Sequence, residues 1–104
     1  MDINRICELF VSIDSFLFEY GDSSVRNQLL LVRDTIDMLR SDLDDDAKSE
    51  NLIRCYRSLF CGKAGLSEFY VWDDDFEKRM ALNAPFEAAS DELWTILKPF
   101  VDQK

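Results

Sequence analysis

The sequence contains no histidine, and this absence removes several kinds of chemistry. Nucleophile pairs that join Ser or Cys to His, histidine general bases and zinc sites with histidine ligands are all excluded. Glycine is also scarce, with 3 residues, and neither a G-x-x-x-x-G-K-[ST] loop nor a G-x-G-x-x-G fingerprint occurs. Gly62 and Gly65 alone do not indicate a nucleotide-binding loop.

Basic residues are few, with 12 Lys and Arg against 21 Asp and Glu, which gives a net charge of −9. This balance argues against direct nucleic-acid binding, because phosphate-binding surfaces need clustered cations. Long apolar runs are missing too: Leu29–Val32 is far shorter than the ~20 residues of a membrane span. The N-terminus has no signal-peptide pattern. We therefore expect a cytoplasmic protein that does not bind membranes.

Cysteine is limited to Cys7, Cys55 and Cys61, an odd number without a C-x-x-C pair. This pattern predicts three reduced, half-buried thiols rather than disulfides or a structural zinc site. Cys61, just before Gly62 in a predicted loop, is the best candidate for a reactive thiol. We expect no metal site and no cofactor.

Apolar residues make up 47% of the 104-residue chain, too many for disorder and enough for one core. Their i, i+3, i+4 spacing predicts a first helix over about 2–20, ended by Gly21, and a second over about 24–42. The short gap between the two implies an antiparallel hairpin. Because Leu29–Val32 is apolar on all sides, the second helix is expected to be central.

The rest of the chain predicts two or three more helices. One begins at Ser49 and ends at Gly62, and a short one follows from Phe76. Pro85 predicts a restart, because proline suits the first position of a helix; Pro99 either kinks the last helix or marks its final turns. The stretch 69–72 could be a strand, but a lone strand has no partner, so we predict a loop with a helical turn. The sequence thus predicts an all-α single domain, 1–104, with four to five helices.

No constellation of residues indicates catalysis. Asp42, Asp44 and Asp46 resemble the start of a calcium loop, but Ala47 and Ile53 stand where that loop needs Gly and Glu. Paired acids such as Asp73 and Asp75 could act in acid–base chemistry only in a pocket that raises a pKa. The sequence therefore predicts a protein that is not an enzyme.

The negative charge is concentrated in two runs. The first acidic run consists of Asp42, Asp44, Asp45 and Asp46. The second acidic run consists of Asp73, Asp74, Asp75 and Glu77, and it follows Tyr70 and Trp72 directly. Aromatic side chains rimmed by carboxylates are typical of surfaces that bind basic proteins. These ten residues are the predicted partner-binding residues; the alternatives are a solvated charged rim and aromatic rings that close the core.

Several short motifs occur in a suggestive order. Glu19-Tyr20-Gly21-Asp22 ends the first helix, a leucine-rich helix and the turn Gly62–Glu68 follow, and Asn83 precedes a helix with Glu92-Leu93-Trp94. This order resembles small helical bacterial proteins that include immunity proteins of polymorphic toxin systems, such as contact-dependent growth inhibition.

The resemblance implies a function. An immunity protein binds the C-terminal domain of its cognate toxin one-to-one in the cytoplasm and neutralises it. Such toxins are commonly nucleases, including RNases, and an acidic partner could cover their basic active-site cleft. Two alternatives stay open. One is an acidic nucleic-acid mimic or adaptor that inhibits a host nucleic-acid-binding protein; the other is a small-molecule enzyme or carrier in which Cys61 and carboxylates line a pocket.

Overall fold

The computed structural model describes residues 2–60, 66 and 69–101. Over these residues the backbone forms a small helical bundle without strands, which confirms the predicted all-α class. Its helices are α1 (Ile3–Tyr20), α2 (Arg26–Leu39), α3 (Asp45–Phe60) and α4 (Phe76–Val101).

The first helix is capped at both ends and supplies the centre of the bundle. Asp2 accepts a hydrogen bond from the backbone N–H of Arg5, and the N–H of Gly21 bonds to the carbonyl of Leu17 over 2.8 Å. A Cβ at Gly21 would collide with that carbonyl and with the side chain of Val25. The predicted boundaries of this helix are therefore close to those observed, and close approach explains the glycine.

The second helix differs from its prediction in length and position. A 3-10 turn, Ser23–Val25, precedes α2, because Asp22 bonds to the N–H of Ser24 over 2.8 Å. The expectation that Leu29–Val32 is buried on all sides is wrong, because Leu30 is 49% exposed. α2 packs against α1 and α3, and α1 packs against α2 and α4. The first helix buries six side chains: Ile6, Leu9, Phe10, Ile13, Phe16 and Leu17.

The third helix begins earlier than Ser49. The carboxylate of Asp44 accepts the backbone N–H of Ala47 over 2.8 Å, so Asp44 caps the helix and Asp45 and Asp46 form its first turn. Carboxylates are favourable there because unpaired N–H groups give a helix start partial positive charge. The first acidic run therefore belongs partly to a helix.

The fourth helix is continuous, so the prediction of a restart at Pro85 is wrong. Pro85 lies inside α4, and Pro99 lies in its last turn. Pro85 is exposed, so the carbonyl of Ala81, which loses its usual N–H donor there, can bond to water. Because Asn83 and Phe86 lie three residues apart on one buried face, packing favours the helix across the proline.

One exposed ion pair ties the last helix to the first. Arg5 donates two hydrogen bonds to the carboxylate of Glu92, and its Nη2 lies 2.6 Å from Oε1. These bonds hold the pKa of Glu92 below its ordinary value and raise the pKa of Arg5. A two-bond pair of this kind fixes orientation more than it adds stability at an exposed site.

Two of the three cysteines and all of α1 to α4 lie among the described residues. Cys7 and Cys55 are free and half-buried, as predicted; Cys61 lies outside the described residues. Among the helices that the structure describes, none combines the length and apolar character of a membrane span.

Candidate partner-binding surface

The segment 69–72 precedes α4 and alternates between half-buried and exposed side chains. The ring of Phe69 packs edge-on against Phe16 and Phe86, with centroids 5.8 Å apart in both cases. Tyr70 and Trp72 are 44% and 68% exposed, whereas Phe69 and Val71 are half-buried. The alternative that Tyr70 and Trp72 close the core is therefore wrong.

A buried amide holds this segment on the fourth helix. Asn83 is 2% exposed; its Oδ1 accepts the N–H of Val71 over 2.8 Å, and its Nδ2 donates to the carbonyl of Val71 over 2.9 Å. The same Nδ2 also donates to the carbonyl of Arg79. Asn83 thus supplies both hydrogen-bond partners, one for the N–H and one for the carbonyl of Val71, that a neighbouring strand would supply in a sheet. These bonds hold the backbone next to Trp72.

Three large side chains form an exposed patch around the start of α4. Trp72, Phe76 and Met80 are 68%, 61% and 50% exposed. The guanidinium of Arg79 lies against the rings, with its Cζ 4.3 Å from the Trp72 centroid and 5.3 Å from that of Phe76. Cation–π contacts of this length order the rings in water. We call Trp72, Phe76, Arg79 and Met80 the Trp72 patch.

The acids of the second run lie beside this patch and already have local partners. Asp73 accepts the N–H of Asp75 over 2.9 Å and lies 3.8 Å from the ammonium of Lys78. Asp74 accepts the indole N–H of Trp72 over 3.2 Å. Asp75 caps α4, because it accepts the N–H groups of Glu77 and Lys78.

Glu77 completes the run in the first turn of α4, where the helix dipole favours an acid. Each of the four acids thus has a local structural role. Asp74 also places negative charge beside the exposed ring of Trp72.

The first acidic run has no comparable surroundings. Asp42 is exposed in the turn after α2, and Leu43, 45% exposed, is the large apolar residue within the run. The other three acids form the cap and first turn of α3.

The structure does not bring the two runs together. Arg40 and Lys48, which flank the first run, share a groove with Asn4 at the start of α1. Lys78, which pairs with the second run, shares a groove with Tyr20 at the end of α1. At 1.5 Å per residue, the 18 residues of α1 separate these ends by about 27 Å. The ten predicted residues are therefore two separate surfaces.

Sequence reasoning missed Phe76, Arg79, Met80 and Asn83 as parts of the site. The spacing of Asn83, Phe86, Ala89, Leu93 and Leu97 could have placed Asn83 on the buried face of one helix. A predicted restart at Pro85 hid that periodicity.

No group of three or more Cys, Asp and Glu side chains is arranged to hold a metal ion among residues 2–60, 66 and 69–101. Comparison of the chain with protein-family models, with curated proteins and with solved structures found no match in any of the three.

Proposed function

We propose that this chain is a protein-binding domain that captures a basic partner with the Trp72 patch and the second acidic run. The observation that carries the proposal is the exposure of Trp72 and Phe76, each more than 60% accessible to solvent. Tryptophan and arginine are enriched among the residues that dominate binding energies, and both occur in this patch.

Charge favours a basic partner over other proteins. Asp73, Asp74 and Glu77 lie next to the exposed rings, and the chain as a whole carries −9. Opposite potentials accelerate association and suppress acidic competitors. The acids would thus steer the partner, and the aromatic rings would supply the apolar contact that holds it.

We propose further that the partner is the C-terminal domain of a cognate toxin, a nuclease and specifically an RNase, which the chain neutralises one-to-one in the cytoplasm. This part rests on the resemblance to immunity proteins. An acidic surface with aromatic anchors suits it, because a nuclease cleft is basic in order to hold phosphates. Covering that cleft would exclude RNA without any catalytic residue in the inhibitor.

The arrangement of α1 and α2 affects which part of α4 is accessible to a partner. We propose that α1 and α2 form an antiparallel hairpin. Two contacts support this: Arg33 Nε lies 3.2 Å from Asp14 Oδ1, and Leu39 lines one groove with Asn4. This arrangement would put α2 on one side of α1 and leave the start of α4 uncovered by it.

If the partner is a toxin, we expect the gene directly upstream to encode it, and the binding test uses an inactive form of the C-terminal domain of that gene's product. We expect a one-to-one complex by surface plasmon resonance, with an association rate that falls as salt rises. Trp72→Ala should weaken binding by about 2 kcal/mol or more, roughly 30-fold. The active domain should stop cleaving RNA when the parent protein is added.

Two matched controls make the test specific. Phe18→Ala removes another exposed aromatic ring that also contacts an arginine, Arg33, and it should leave binding unchanged. Asp73→Asn with Asp74→Asn should slow association more than Asp45→Asn with Asp46→Asn. Asn keeps an acceptor oxygen at each position, so the two pairs compare the effect of charge alone. Equal effects of Trp72→Ala and Phe18→Ala would contradict the proposed surface. If the parent does not bind the toxin domain, the toxin partner is contradicted. If a pull-down with the parent recovers a host nucleic-acid-binding protein instead, the alternative of a nucleic-acid mimic is favoured.

A further inference from the structure

We infer that Arg79 is the docking point for a carboxylate side chain, Asp or Glu, of the partner protein. This inference deepens the proposed function and rests on it for the identity of the partner. It predicts a partner surface that is basic at its edge and presents one acid to the centre of the Trp72 patch.

The geometry of Arg79 differs from that of other arginines in the bundle. Its Nε is buried and has no hydrogen-bond partner, and within residues 2–60, 66 and 69–101 no carboxylate pairs with it. Arg5 pairs with Glu8 and Glu92, and Arg33 pairs with Asp14. Arg26, Arg40 and Arg54 also lack a carboxylate partner among the described residues. Arg79 differs from them because its Nε is buried and has no hydrogen-bond partner.

The neighbouring acids are occupied by other donors. Asp73 binds the ammonium of Lys78 and a backbone N–H, and Asp74 binds the indole of Trp72. Asp75 caps the helix through two backbone N–H groups. None of the three aspartates pairs with the Arg79 guanidinium, although Asp74 and Asp75 each use only Oδ1 in these bonds.

The guanidinium of Arg79 can receive a planar anion at its outer edge. Its Cζ lies within 5.3 Å of the Trp72 and Phe76 centroids, and its Nε is buried. Nη1 and Nη2 are not buried and have no hydrogen-bond partner among the described residues, so these two nitrogens are open to a ligand. A carboxylate matches that edge with two parallel bonds. A polyphosphate chain fits less well, because the charges of Asp73, Asp74 and Glu77 would repel its repeated phosphates.

The first experiment tests Arg79 in the free protein with acetate as the probe. Sodium acetate replaces sodium chloride at constant ionic strength while NMR follows the Arg79 Nε–H and Trp72 indole N–H signals. We expect both signals to shift with acetate and to saturate. Arg40, exposed and beside Asn4 at the other end of α1, serves as the control. Arg79→Gln should abolish the indole shift. A shift of Arg79 no larger than that of Arg40 overturns the inference.

The second experiment tests the partner's acid with the inactive toxin domain. Arg79→Gln should weaken binding about tenfold or more, and Arg79→Lys should restore only part of it, because lysine cannot make two parallel bonds. In the Arg79→Glu background, changing one partner acid to lysine should recover binding. If the parent binds and Arg79→Gln binds equally well, the carboxylate inference fails and the proposed function stands. If the parent does not bind, the proposed function fails, and the acetate shift still decides the chemistry of Arg79.

Discussion

Asp44 and Asp75 occupy equivalent places in the two acidic runs. Each accepts a backbone N–H from the first turn of the helix that follows, α3 or α4. Each is followed by acids inside that turn, Asp45 and Asp46 in one case and Glu77 in the other. Five of the eight acids in the two runs are therefore accounted for by the same requirement, which is to satisfy and stabilise a helix start.

The runs differ in what lies beside them. The second has Trp72, Phe76 and Met80, all at least half exposed, and an arginine in contact with two of the rings. The first has Leu43 alone among large apolar side chains of its own segment. Charge alone therefore does not distinguish a binding surface from a helix cap. Exposed aromatic side chains accompany the second run, and helix capping does not explain their exposure.

The largest expected effect on stability concerns the amide that holds the second run in place. Asn83→Ala leaves the N–H and carbonyl of Val71 without their side-chain partners. Unsatisfied buried polar groups cost about 1–3 kcal/mol each, so we expect a loss of that order in the free energy of unfolding, measured with urea. The exposed Asn4→Ala is the control and should change stability by no more than about 0.5 kcal/mol. Equal stability of the two variants would mean that the hydrogen bonds between Asn83 and Val71 add nothing to the free energy of unfolding.

The helix that carries Asn83 also shows which features could not be predicted from the sequence. The helical class, the bounds of α1 and its glycine cap followed from periodicity and local chemistry. The single α4 did not, because proline normally interrupts a helix and only packing of the face that carries Asn83 and Phe86 overrides that preference.

The candidate site was predictable in part for a similar reason. Local rules found the acids and Trp72, since these are neighbours along the chain. Arg79 and Met80 join them through the first turns of a helix that was predicted to begin at Phe76, as observed, but to end before Pro85. The bonds of Asn83 to Val71 span 12 residues, and no local pattern encodes such a contact.

Smaller and matched effects are expected from the two helix caps. Asp44→Ala and Asp75→Ala should each lower the free energy of unfolding by about 1 kcal/mol, because each leaves first-turn N–H groups without an acceptor. Only Asp75→Ala should also weaken partner binding, since the turn it caps carries Phe76 and Arg79. Asp42→Ala is the control: the residue is exposed and caps no helix. A cap effect confined to one run would break the equivalence of the two.

The smallest effect concerns a carboxylate that belongs to neither run. The hydrogen bonds described for the acids of both runs reach residues close in sequence, whereas Glu92 joins α4 to α1 through Arg5. The pKa of Glu92 is lowered from its ordinary value of 4.5 by those bonds. A lowered pKa in the folded state adds stability above the ordinary value and loses it as pH falls through the folded value.

Glu92→Gln should therefore melt below the parent at neutral pH, and the difference should disappear at a pH well below 4.5. Arg5→Gln should show the same convergence, and the double variant should reveal a coupling present at neutral pH and absent in acid. The effect should be small because both groups are exposed and screened. A difference in melting temperature that stays constant across the acid range would show that packing at position 92, and not its charge, ties α4 to α1. The charge of Glu92 would then not join two helices, and Glu92 would not differ in this respect from the acids that only cap a helix.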